Sequence, residues 1–175
     1  DGVASAVLSA TAVQDQFNSQ YGADGAGADG TVYRLELNGD DVPSGLFAVD
    51  ASAADGKGEP IVLNQLGNVI TGSADGVNYF TLTIDPASGA VTLNLLDNLW
   101  HSDATNADDS QSLNLSKGTL LLTQTLTDGD GDSASVSIDL GTKGVFSFED
   151  DAPLARLNVE ARPLQAAFVD ESLVS

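Results

Sequence analysis

The chain reads as an all-β protein, an antiparallel β-sandwich of short strands, on three observations. Apolar and polar residues alternate with period two through much of the sequence, which is how half-buried strands read. Gly, Asn, Asp and Pro punctuate these segments at short intervals. Helical periodicity is weak throughout, so many short strands with frequent turns favour two packed sheets around a core of Val, Leu, Ile and Phe.

In chain order, Ala10 to Ser19 is open between a strand and a turn of helix. Strands are expected at Val32 to Leu37, Ile61 to Leu66 and Val69 to Thr71, each bounded by turn residues. Val77 to Ile84 sets Asn78, Phe80, Leu82 and Ile84 against Val77, Tyr79, Thr81 and Thr83. Asp85-Pro86-Ala87-Ser88-Gly89 then makes a turn and Ala90 to Leu96 resumes the alternation, which predicts a hairpin. The apolar run Leu95 to Trp100 ends at the only Trp, and Leu113 to Leu115 is a further short strand. Thr119 to Thr127 and Ser133 to Leu140 predict a second hairpin, with Ala134, Val136, Ile138 and Leu140 on one face. Gly144 to Phe148 is the last expected strand. Residues 1–153 are read as one sandwich domain. After Pro153 the rhythm is lost, and residues 154–175 read as a linker and the start of a following module.

Six basic residues face 26 acidic ones, for a net charge of -20. That balance argues against nucleic acid, whose affinity comes largely from Lys and Arg neutralising phosphates, and against anionic membrane surfaces. With no Cys and a single His, disulfides and thiolate or histidine-rich metal sites are excluded. A thin extracellular domain without disulfides can be held by metal ions instead. No apolar stretch approaches the roughly eighteen residues of a membrane span, so no membrane insertion is expected. The lack of any Met, position 1 included, implies that the chain was cut from something longer.

Carboxylates concentrate in Thr127-Asp128-Gly129-Asp130-Gly131-Asp132 and again in Phe148-Glu149-Asp150-Asp151-Ala152-Pro153. Side chains crowded this closely repel unless water, salt or a cation compensates. Alternating Gly lets the backbone curl so that Asp carboxylates and backbone carbonyls can converge on one Ca2+. The competing reading is a solvated acidic hairpin loop, because Asp-Gly is ordinary turn chemistry. Asp128, Asp130 and Asp132 match positions 1, 3 and 5 of an EF-hand loop, but the rest of that loop is missing. Ser133 stands where Gly is needed, Asp139 where Glu is usual, and a strand pattern follows where a helix should. Glu149, Asp150 and Asp151 sit at a strand end whose exit is stiffened by Pro153, where calcium could fix a domain junction or where a polar strand simply ends.

Asp24 and Asp29 in the Gly-rich stretch 21–30, Asp40 and Asp41, and Asp103, Asp108 and Asp109 read as turns and hydrated loops. The Gly-rich stretch lacks the Lys and the following helix of a phosphate cradle. Catalysis has little support: His101 could act as a base with Asp103, but no nucleophile motif accompanies it, and the chain is not expected to be an enzyme. Trp100, Tyr79, Tyr21 and Tyr33 form no aromatic cluster and read as core or rim packing.

Leu126 to Ala134, Ser137-Ile138-Asp139-Leu140 and Phe148 to Pro153 together resemble the closing half of the tandem-repeat, or split, domain of giant RTX adhesins exported by type I secretion. Tyr33 to Gly39 with Ser44-Gly45-Leu46, and Phe80 to Thr92, resemble its central strands, so the similarity spans about Ala10 to Pro153. Two positions depart from the family's pattern: Leu99-Trp100-His101-Ser102-Asp103 replaces a Glu-His-Pro motif, and Ala152 replaces a Gly. The resemblance implies a calcium-stabilised β-sandwich at the surface of, or secreted by, a Gram-negative bacterium. It would be a monomeric spacer in a string of modules that supports cell adhesion and biofilm formation, with adjacent modules as its partners. The implied metal ligands are Asp128, Asp130, Asp132, Glu149, Asp150 and Asp151. The alternative is a calcium-dependent module that itself binds a glycan or protein, through a loop such as Leu99 to Asp109.

Overall fold

The computed structural model describes residues 4–20, 23, 25–103, 105–106, 109–142, 144–149, 153–155 and 165–168. The chain begins with β1 (Ala4–Leu8), a short helix α1 (Ala10–Gln14), β2 (Phe17–Gln20) and the long β3 (Ala26–Leu37). Five strands follow in succession: β4 (Val42–Val49), β5 (Lys57–Leu66), β6 (Val69–Ala74), β7 (Val77–Ile84) and β8 (Val91–Leu95). The last elements are β9 (Gln111–Ser112), β10 (Leu120–Asp128), β11 (Ser133–Asp139), β12 (Phe146–Phe148), β13 (Pro153–Ala155) and β14 (Gln165–Phe168).

The protein is all-β and mostly antiparallel. One sheet has six strands in the order β1-β8-β7-β6-β5-β4, and two three-stranded sheets run β11-β10-β3 and β13-β12-β9. Ile61, Leu63, Ile70, Phe80, Leu82 and Leu93 of the large sheet are fully buried. They share one core with Leu35, Leu120, Leu122, Phe146 and Phe148 of the smaller sheets. Phe80 and Phe148 meet across this interface at 4.9 Å between ring centroids. The arrangement is therefore sandwich-like, and its stability rests on apolar faces that alternation along the strands points inward.

Both expected hairpins form. In the first, Ile84 pairs with Val91 and Thr83 with Thr92. Its turn is closed by the Asp85 carboxylate, which accepts from Ala87 N at 2.9 Å and from Ser88 Oγ at 3.0 Å. In the second, Leu122 pairs with Ile138 and Thr127 with Ser133. Its outer face carries a ladder of hydroxyl pairs, Thr123 with Ser137 and Thr125 with Ser135, each at 2.7 Å.

The segment 10–19 contains both elements between which its sequence is open. Ser9 caps the helix by accepting from Ala12 N at 3.1 Å, and α1 then gives way to β2. Alternation alone does not mark strand β4, because Pro43, Ser44 and Gly45 interrupt its apolar pattern. Ser44 is nonetheless fully buried, its Oγ donating to Ile61 O at 2.6 Å and accepting from Leu46 N at 3.1 Å. Such internal pairing lets a polar residue sit in the core without leaving a lone donor or acceptor. The extended stretch at Leu113 to Leu115 lies just beyond β9 rather than in a strand of its own.

Gln65 joins the two layers. From β5 its Nε2 donates to Leu35 O at 2.7 Å, and its Oε1 accepts from Leu37 N at 2.8 Å on β3. A side-chain amide presents the same donor and acceptor as a peptide group, so it replaces backbone pairing where strands of different sheets meet. Gln165–Phe168, in the stretch read as linker and following module, runs parallel to Phe17–Gln20 as β14 beside β2.

Candidate metal centre

Strand β10 explains how the central carboxylate comes to be buried. Burial alternates along its whole length, and Leu120, Leu122, Gln124, Leu126 and Asp128 all face inward. Asp128 is thus the last residue of the core face, at 1% exposure, although it also opens the Asp-Gly loop. Gln124, four residues back on the same face, has a partner in Tyr33, whose hydroxyl accepts from its Nε2 at 3.0 Å.

The loop is tightly organised around Asp128. Its backbone N donates to Asp132 O at 2.9 Å, and its Oδ1 accepts from Gly131 N at 3.1 Å and Asp132 N at 2.9 Å. Gly131 has a φ of 99°, a left-handed conformation that an L side chain rarely adopts. The other carboxylate oxygen of Asp128, Oδ2, is enclosed and has no hydrogen-bond partner. Burying an unpaired carboxylate oxygen is costly, so the position calls for a proton or a cation.

Carboxylate oxygens of Asp128, Asp130 and Asp132 lie within 4.8 Å of one another, the one such group among the described residues. Asp128 is held below the ordinary carboxylate value, first by hydrogen bonding with the Asp130 carboxyl. Burial opposes this, and the N–H groups of the loop reinforce it. The same pairing pushes Asp130 up. The two carboxyls thus titrate as a pair in which Asp130 is the weaker acid, and in the structure nothing donates to Asp128 Oδ2. These three residues could hold a metal ion, and the donor set is all hard oxygen.

The Gly-rich stretch read as a hydrated turn is in fact the back wall of this loop. Residues 26–30 belong to β3, where Ala26 lies opposite Asp128 after a bulge between Leu126 and Asp128. Gly129 N donates to Gly25 O at 3.2 Å. At Gly27 an added Cβ would stand 2.6 Å from Asp128 O, so only glycine lets the two backbones approach this closely. The sequence signal was present in two forms: glycines at alternate positions 25 and 27, and the inward parity of Asp128 with Leu120, Leu122 and Leu126.

Other candidate residues are placed elsewhere. Glu149 follows β12, in a different sheet from β10, and is not part of the convergent group. Asp150 and Asp151 lie outside the described residues, as do Asp24 and Asp108. Asp139 is no twelfth ligand: its carboxylate accepts from Gly118 N at 2.6 Å and from Gly141 N at 2.8 Å, tying two turns together. Asp41 is engaged with Asn64 at 2.8 Å in a turn. His101 faces Asp109 at 3.7 Å rather than Asp103. The Asp109 carboxylate also accepts from Asp103 N and Gln111 Nε2, which with burial opposing hold it below its ordinary value. These contacts clamp the loop. Trp100 packs edge-on to Phe47 at 6.2 Å and donates from Nε1 to Asp55 O at 2.9 Å.

No curated protein and no solved structure matches the chain. A family model described as a domain of unknown function, DUF5801, matches residues 2–141, taking in all three strands of the sheet that carries the Asp-Gly loop, and the chain belongs to that family.

Proposed function

We propose that this chain is a structural spacer module of a secreted bacterial adhesin of the RTX class, stiffened by calcium at the Asp128 loop. The observation that carries the metal half of this reading is the enclosed, unpartnered Oδ2 of Asp128 beside the carboxylates of Asp130 and Asp132. Asp128, Asp130 and Asp132 would hold the ion. Bound there, calcium supplies positive charge that offsets the mutual repulsion of the carboxylates. The chain's own part is to set the geometry: Oδ1 of Asp128 fixes the loop through two N–H groups, while Gly27 and Gly25 hold β3 against it.

The adhesin half rests on the resemblance of the ordered motifs from Tyr33 to Pro153 and on the net charge of -20. In a calcium-poor cytoplasm the acidic segments would repel and leave the chain loose for export. Extracellular modules bind calcium with dissociation constants of about 0.1 to 1 mM, so the metal would favour folding only after secretion. Thermal unfolding in EGTA and then in millimolar calcium checks the metal claim, with isothermal titration giving stoichiometry. Calcium is expected to raise the midpoint, and Asp128→Asn with Asp130→Asn is expected to remove at least one ion. An unchanged midpoint would sink the reading.

A further inference from the structure

Tension along a chain enters a module at its two ends, and from the C-terminal side it meets β14 first among the described elements. β14 pairs with β2, in parallel, over four residues: Gln165 with Phe17, Ala166 with Asn18, Ala167 with Ser19 and Phe168 with Gln20. These two strands form a sheet of their own, outside the three antiparallel sheets.

The contacts that hold β2 lie at its opposite end. Phe17, its first residue, is buried and packs against Tyr33 of β3 at 6.1 Å between ring centroids. The helix before it is fixed by the fully buried Val13 and by Gln14, whose Nε2 donates to Ser88 O at 2.9 Å. A pull on the C-terminal side drags β14 from Phe168, while the core resists by holding β2 at Phe17. Because the strands are parallel, these are opposite ends of the pair. Parallel ladder bonds are evenly spaced along the strands, so they are loaded together in shear rather than opened one after another.

From the N-terminal side the pull meets β1, which pairs with β8 over five residues inside the six-stranded sheet and buries Leu8 in the main core. β14 has four pairs, in a two-stranded sheet. It lies beside β11 and β10, where Leu126 forms with Ala134 and Val136 a small apolar cluster apart from that core. The C-terminal pair is thus the shorter and less backed of the two load-bearing contacts. β13, the next element inward, takes no load from the C-terminal side while β14 holds, because β14 stands between it and the pull in chain order.

We infer that the β2–β14 pair is a mechanical clasp: it carries tension along the chain in shear, and on parting it lets out residues 156–168 while the sandwich stays closed. At about 3.3–3.6 Å per residue, those thirteen residues give a step of at most about 47 Å. The clasp takes its use from the spacer reading, since a module in a string is pulled from both ends, but it requires no metal at Asp128.

The test is single-molecule pulling of the full chain, in millimolar calcium, from handles at its two termini. A first step within that length is expected ahead of the main unfolding event. A five-residue Gly-Ser insert between Arg162 and Pro163 should lengthen the first step by about 17 Å and leave the main event as it was. Pro cannot donate to the ladder. At least one of Ala166→Pro and Ala167→Pro should therefore remove the first step or lower its force, and the main event in the same trace shows that the sandwich is folded. A single unfolding event in the parent, a first step indifferent to the insert, or a first step of unchanged force in both proline variants would each overturn the inference. A first step of the expected length in a chain whose melting ignores calcium would sustain the clasp and refute the metal, so the two readings fail separately.

Discussion

Replacing Gly27 with Ala tests the link between the fold and the metal centre. The new Cβ would lie 2.6 Å from Asp128 O and 3.2 Å from Thr127 O, whereas ordinary contact begins near 3.4 Å. The obstacle is backbone, so the Asp128 loop must move away from β3 by about 0.8 Å, the gap between 2.6 and 3.4 Å. Overpacking of this kind costs about 1–3 kcal/mol. For a chain of this size that is a fall of about 2–12 °C in the melting midpoint. Calcium at 5 mM with a dissociation constant of about 0.1 to 1 mM should contribute about 1–2 kcal/mol of its own. Because the displaced loop no longer presents Asp128 squarely to Asp130 and Asp132, the calcium-induced rise should shrink in the variant as well. Scanning fluorimetry of both proteins, with EGTA and with calcium, reads both effects. A variant with the parent's midpoint and the parent's calcium response would refute the claim that β3 positions the loop.

Gln65→Leu should lower stability by about 2 kcal/mol or more, since Leu35 O and Leu37 N lose their partner at the junction of the layers. Chemical denaturation would check it, and a midpoint equal to the parent's would mean that water replaces the amide without cost. Stability should also fall in acid. Asp50 is held below 3.8 first by the Ser52 hydroxyl, and Asp85 below 3.8 first by the Ala87 N–H. A carboxylate depressed in the folded state adds stability above its unfolded pKa and loses it as pH drops through the folded one. The midpoint should therefore be flat from about pH 5 to 7 and decline below about pH 4. Asp85→Asn should flatten part of that decline, and an identical profile would assign it to other groups.

Sequence alone determined the all-β class, the two hairpins and the three carboxylates of the centre. Those features are local: alternation selects strands, Asp-Pro and Asp-Gly select turns, and neighbouring residues in a loop are neighbours in space. It also argued against an EF-hand, with Asp139 where Glu is usual, and the structure shows the Asp139 carboxylate occupied by the N–H groups of Gly118 and Gly141. What only the tertiary structure decided is whatever depends on distant segments meeting. The Gly25–Gly27 wall lies about a hundred residues before the loop it supports, and its role follows from β3 pairing with β10. Gln65 joins two sheets through a contact that no periodicity announces. Alternation tells which face of a strand is buried, but long-range pairing decides what it is buried against, and there the enclosed oxygen of Asp128 acquires its chemistry.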